Sequence, residues 1–351
     1  MSNSRSFKDY IANRFDNELF NSVNSYLIQH RKNLNLNLYN IEYIDYVELQ
    51  AVEVKQVYVN DLPGSEIEFD ILAEADFTLQ QNNNRYGEKY EDSTKWFKFS
   101  CKGDLKKNLD DCVVADPEEY MCKTFQPDPM SDSLVPIIYK NELEKRADDF
   151  LDIYCKEAKL QPMSVDPIGI AKKMGLTVKL VNITEDFSVF GQVYFYDCDT
   201  EIYDDKTKKY VPCHVPAKTV LVDPKAYFLR NLGAVNNTII HECVHWWLHR
   251  KAFELERLYN EDASSIKCKV VGGVSNNNKT STDWMEWQAN KLAPRIQMPL
   301  AMFKRAAANF ISQYRKESGK FDIINVIEPT IDALASYFSV SRLAAKIRMI
   351  D

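Results

Sequence analysis

The stretch Asn237-Thr-Ile-Ile-His-Glu-Cys-Val-His-Trp-Trp-Leu-His249 decides how this chain is read. Within it His241, Glu242 and His245 form H-E-x-x-H. Residues four apart on an α-helix differ by one turn and only about 40°. Both imidazoles therefore leave one face, and a metal ion can bridge them. The carboxylate beside the first histidine then points next to that ion, where a hydrolytic water needs a base. No Gly or Pro interrupts residues 234–250, and Val235, Ile239, Ile240, Val244, Trp247 and Leu248 supply an apolar face. The spacing predicts a buried helix, with Asn236 or Asn237 as its N-cap. A helix with incidental histidines would show the same letters. Against it, three of the chain's five histidines fall between positions 241 and 249.

His249 extends the row but is not expected to be a ligand. On a continuous helix it lies about 12 Å along the axis from His241, too far to share an ion bound at about 2.0–2.1 Å. The third ligand must come from another segment. Glu286 is the candidate, in Asp283-Trp-Met-Glu-Trp-Gln-Ala-Asn-Lys-Leu-Ala293. This reads as a second helix whose Ala289, Leu292 and Ala293 form a small apolar face, allowing close approach to the first. Glu286 is preferred on that ground to Glu254, Glu256 and Asp283.

These motifs carry a resemblance. His241-Glu-x-x-His245-x-x-x-His249, then Glu286-x-x-Ala289-Asn290 and Met298-Pro299, resemble the ImmA/IrrE family of metallo-endopeptidases. Asp166-Pro-Ile-Gly-Ile-Ala-Lys-Lys-Met-Gly175 is similar to that family's upstream segment, so the likeness runs from about residue 141 to the C-terminus. The chain departs from the pattern at Val244, Leu292, Pro294 and Gln297, and at Asn236, Asn237 and Thr238 before the first histidine. The resemblance implies a zincin-like catalytic domain with one Zn2+ on His241, His245 and Glu286, and Glu242 as general base. It also implies a protein substrate, a helix-turn-helix transcriptional repressor of a mobile element or stress response. Tyr194, His214 and Arg295 all remain open as the donor that stabilises the oxyanion.

Composition narrows the alternatives. The 351 residues are enough for two or three domains with real cores. A net charge of −7 argues against general nucleic-acid or anionic-membrane binding. No run of about 18 apolar residues is present, and the first residues lack an export signal's apolar core, so a cytoplasmic location is expected. Eight cysteines without a C-x-x-C pair fit reduced thiols. A second metal site on Cys198, Cys213 and His214 lacks paired ligand spacing.

The expected fold is α+β: an N-terminal antiparallel-sheet domain, then a zincin-like domain with a small sheet packed on helices, and a helical C-terminal part. An accessory domain of unassigned role spans 1–125. Its helix shows a ridge at Ile11, Phe15, Leu19, Val23 and Leu27, and its strands show Val52, Val54, Val57, Val59 and an alternating run from Ile67 to Leu79. Residues 81–92 read as a loop. A proline-bearing linker follows at 126–140, then the catalytic domain at 141–300. Within it 203–210 is a charged hairpin or loop, and 250–283 is an irregular insertion, in a position where a lid is often found. Residues 301–351 resemble a helix-turn-helix in outline, with a helix expected to begin at Glu328 and a second one carrying Leu343, Ala344 and Ile347. Eight Lys/Arg against five Asp/Glu there is a mild charge for a groove reader, so a packing helical pair is preferred. The rival function is a non-catalytic regulator whose metal is structural and which binds a repressor or DNA. Oligomeric state is not encoded in any of these motifs.

Overall fold

The N-terminal apolar ridge becomes the buried seam of helix α1 (Phe7–His30) in the computed structural model, which describes residues 5–60, 64–83, 87–121, 129–225, 232–260, 265–269, 280–318 and 323–351. Ser6 caps α1 by accepting from the Asp9 amide. The helix is followed by three long antiparallel strands, β1 (Tyr46–Val59), β2 (Glu66–Asn83) and β3 (Gly87–Asp104). Two short strands, β4 (Val113–Val114) and β5 (Glu118–Glu119), both pair with β3. On β1 the buried positions change parity twice: Val47 and Leu49, then Val54, then Val57 and Val59. Bulges between Leu49 and Ala51 and between Val54 and Gln56 account for both changes, since one extra residue moves every following side chain to the other face. The chain is α+β, as its patterns predict.

Two expectations are corrected here. Residues 81–83 and 87–92 are not loop but strand, since β2 and β3 continue to pair out to Asn83 and Gly87; residues 84–86 lie outside the described residues. Polar cross-strand pairs sustain the extension, with Thr78 Oγ1 donating to Asp92 at 2.8 Å and Gln80 Nε2 to Tyr90 Oη at 3.3 Å. The described part of the proline-bearing stretch, 129–140, is not a free spacer over 129–137. Met130 and Leu134 enter the same apolar core as α1, and Asp132 accepts the Phe7 and Lys8 amides.

The chain divides into two compact units, 1–137 with 254–261, and 138–253 with 262–351. The second begins with α2 (Leu143–Tyr154) and α3 (Pro167–Lys173), the latter capped by Asp166. Strands β6 (Thr177–Leu180), β7 (Val189–Tyr194) and β10 (Thr219–Val222) follow, with β8 (Cys198–Asp204) and β9 (Lys209–Val215) forming a hairpin between β7 and β10. Then come α4 (Leu232–Leu248), α5 (Arg250–Tyr259), β11 (Ser265–Lys269), α6 (Ser281–Gln297), α7 (Leu300–Ser318), α8 (Ile323–Tyr337) and α9 (Arg342–Ile350). The four-stranded sheet runs β11-β7-β10-β6. The insertion 250–283 is thus structured where described, as α5 and as a strand antiparallel to β7. Its Gly272-Gly273 and Asn276–Asn278 lie outside the described residues.

α8 begins at Ile323, not at Glu328, with Pro329 inside it. The Thr330 hydroxyl donates back to the Val326 carbonyl there at 2.6 Å. On α9, Ser341 caps the helix, but Leu343 and Ile347 face solvent instead of packing. The buried residues of α9 are Ala345 and Arg348. Among the described residues no helix is long and apolar enough to cross a membrane.

Arg348 is held by both carboxylate oxygens of Glu144, which also takes Arg295 Nε at 2.9 Å. Burial alone would raise the Glu144 pKa, but the Arg348 and Arg295 guanidinium groups outweigh it and hold the carboxyl below its ordinary value. A depressed folded pKa contributes stability at neutral pH that disappears as pH falls through that folded value. Glu144→Gln should therefore destabilise the chain by about 2 kcal/mol at pH 7. The cost of orphaning a buried charge, about 3–5 kcal/mol, is discounted because Glu144 is partly exposed. In thermal melts, the gap from wild type should narrow once pH drops below about 4, the ordinary carboxylate range. A gap that stays constant to pH 2 would contradict this assignment.

Candidate metal centre

α4 is apolar and is buried through its centre, where residues 239–245 have no appreciable exposure. It begins at Leu232, earlier than Asn236 or Asn237, because those two amides serve tertiary partners instead of capping. Asn236 donates to the Ser339 carbonyl at 3.0 Å, and Asn237 accepts from Gln297 at 3.0 Å. Gly233 permits the tight approach at this end; a Cβ there would fall 2.3 Å from the backbone of Val340 and Ser341. At the other end Trp246 stacks on Phe195, with ring centroids 5.0 Å apart, and Trp247 meets Phe150 edge-on at 5.2 Å. These contacts fix the rotation of α4, and with it the direction of its histidines.

α6 is started by a capping box in which Thr280 and Asp283 satisfy each other's amides. That role occupies Asp283, one of the rival third ligands. Glu256 pairs instead with Arg5 at 3.5 Å, and both Glu254 and Glu256 fall in the first unit. Ala289, Leu292 and Ala293 are fully buried, the close face on which α6 approaches α4. Glu286 sits on that seam. Its Oε2 lies 3.3 Å from His241 Nε2 and its Oε1 lies 3.3 Å from His245 Nε2, while the two Nε2 atoms are 2.9 Å apart. Among the described residues, only His241, His245 and Glu286 bring metal-ligating atoms together in this way.

The donor set fits a small divalent cation. A tetrahedral ion bound at about 2.0–2.1 Å separates its ligands by about 3.3 Å, close to the three edges seen here. Two imidazoles and one carboxylate, all buried, also suit the charge of such an ion. Burial keeps the His241 ring below the ordinary imidazole range, and so neutral. Burial would raise Glu286, but the two facing imidazoles outweigh it and keep the carboxyl ionised. His249 stands outside the donor set, with Nδ1 2.8 Å from His245 Nδ1 and Nε2 2.9 Å from Gln288 Oε1. Burial places it, too, well below the ordinary range.

Glu242 is completely buried beside the donors, under strand β7. Gly191 makes that closeness possible: a Cβ on it would lie 2.7 Å from Glu242 Oε1 and 2.6 Å from Thr238 Cγ2. Burial, together with the Glu242 charge, raises the neighbouring Cys243 thiol, which is therefore inert.

The three candidates for oxyanion stabiliser are not brought to this site. Tyr194 lies on β7 with parity opposite to Gly191, so it points to the other face of the sheet, packing with Ile183, Val189, Val215 and Leu221. His214 is exposed on the β8-β9 hairpin and bonds Asp199 at 2.8 Å. It pairs there across from Asp199 while Cys213 pairs with Thr200, so adjacent positions face opposite ways. The Arg295 guanidinium is engaged by Glu144, Asp351 and the Lys291 carbonyl.

The segment that carries these ligands is also similar in sequence to a known family model. Residues 232–349 match the IrrE N-terminal-like domain, Peptidase_M78. The matched residues include every proposed ligand and the proposed base. The matched model is that of a peptidase family. No curated protein matches the chain. Sequence reasoning missed Gly191 and Gln288; neither belongs to a motif, and only packing reveals what each touches.

Proposed function

We propose that the chain is a zinc-dependent endopeptidase that hydrolyses a peptide bond in a regulatory protein, a helix-turn-helix repressor being the substrate class. The carrying observation is the convergence of His241, His245 and Glu286 within bonding range of one another, with Glu242 buried alongside. Two histidines and a glutamate are a donor set of catalytic zinc sites, which keep one position open. Zinc held there supplies Lewis acidity, polarising a carbonyl and lowering the pKa of water towards about 7. Glu242 takes the proton from the attacking water and returns it to the amine leaving group. Its burial under β7 keeps bulk water away from that transfer. The substrate class rests on the family resemblance alone. The free thiols of Cys101, Cys112, Cys155, Cys198, Cys213 and Cys243 fit action in the cytosol.

Two of the basic residues on the C-terminal helices are engaged within the fold, which favours the packing reading over DNA binding. Arg342 is paired with Glu328 and Asp332, and Arg348 with Glu144, so these charges are neutralised internally. Removing metal with a zinc chelator should reduce cleavage of a repressor-derived peptide library to background, and added Zn2+ should restore it. Cleavage that persists through chelation would refute a metal-dependent mechanism.

A further inference from the structure

Behind the donor set lies a chain of three buried side chains, His245, His249 and Gln288. The His249 Nε2 atom is 2.9 Å from Gln288 Oε1. An amide oxygen only accepts, so His249 Nε2 carries the hydrogen and donates it. His249 Nδ1 is then a bare lone pair, which accepts from His245 Nδ1–H across 2.8 Å. With its proton fixed on Nδ1, His245 presents a bare Nε2 towards His241 and Glu286. A reversed amide would turn the whole sequence around. Gln288 would donate to His249, His249 would donate to His245, and His245 Nε2 would carry hydrogen into the donor set, where a cation cannot accept it.

The helices make this possible through rotation. On α6, Glu286 lies about 60° to one side of Ala289 and Gln288 about 100° to the other. One seam residue is thereby flanked by a ligand and by an acceptor, and each reaches a different part of the histidine row on α4. Outer hydrogen bonds of this type fix the tautomer and basicity of a ligating imidazole.

We propose that His249 and Gln288 are positioning residues of the metal centre, fixing His245 as the Nδ1–H tautomer so that its Nε2 lone pair meets the cation. The proposal rests on the metal-centre reading above and assigns a role to the third histidine of the row.

The test is zinc affinity of the full chain, by competition with a chromophoric chelator, for wild type, Gln288→Met and Gln288→Glu. Melting of the metal-free forms monitors folding. Met fills a similar volume without accepting, and should weaken zinc by about 10- to 100-fold. Glu, which also only accepts, should bind at least as tightly as wild type. Equal losses in both variants, or none in either, would overturn the proposal. Long-range proton–nitrogen NMR spectra of wild type loaded with zinc give a reading that needs no variant. Hydrogen is expected on His245 Nδ1 and His249 Nε2, and hydrogen on His249 Nδ1 would overturn the relay. Failure of wild type to take up zinc would instead refute the metal centre itself, and the relay with it.

Discussion

Glu242→Gln should lower peptide hydrolysis by about 10²–10⁴-fold, the range for a positioned general base, while leaving bound metal unchanged. The amide keeps the shape of the side chain that lies close to Gly191 but has no affinity for the proton of water. Metal retention is expected because Glu242 is not among the converging donors, which are His241, His245 and Glu286. Metal content by elemental analysis and turnover on one cleaved peptide are both needed. Hydrolysis at the wild-type rate in a metal-replete Glu242→Gln chain would remove this carboxylate from the mechanism. Loss of the metal itself would mean that Glu242 is a ligand.

The second large effect is expected at Gly191, which no motif contains. Its Cβ, if present, would meet Glu242 Oε1 at 2.7 Å, Glu242 Cδ at 3.2 Å and Thr238 Cγ2 at 2.6 Å. Thr238 has little freedom to yield, since its hydroxyl is tied to the Ala234 carbonyl at 3.0 Å. β7 is equally constrained, paired through Gly191 with Val222 on one side and Cys268 on the other. Gly191→Ala therefore displaces the Glu242 carboxyl, or strains the strand. A misplacement of about 1 Å can cost about 10² in rate, and overpacking of this kind costs about 1–3 kcal/mol of stability. The reading predicts a fall in kcat with KM and metal content nearly unchanged. A Gly191→Ala protein of full kcat would show that the carboxyl need not stand where β7 holds it.

How far the sequence could be read depends on how local each signal is. The α1 ridge became a buried seam because helical spacing is set by backbone geometry within one segment. The second parity change along β1 is visible as Val54 followed by Val57, although only pairing with β2 shows it to be a bulge. Asn236 and Asn237 look like caps of α4, yet their amides bond Ser339 and Gln297 and the helix starts before them. The length of the β2-β3 hairpin is hidden in the sequence for a related reason: polar residues such as Gln80 and Thr78 find partners only across the pair.

For this protein the sequence alone determined that His241 and His245 share a helix face with Glu242 beside them, since four residues always make about one turn. It also made Glu286 the better ligand candidate, through the small residues that let its helix come close. Only the tertiary structure decided that Glu286 meets both rings, that Gly191 makes room for Glu242, and that Gln288 and His249 stand behind His245. It also decided that Tyr194, His214 and Arg295 face elsewhere. These are distances between segments far apart in the chain, set by the rotation and packing of whole helices and strands, and no local periodicity encodes them.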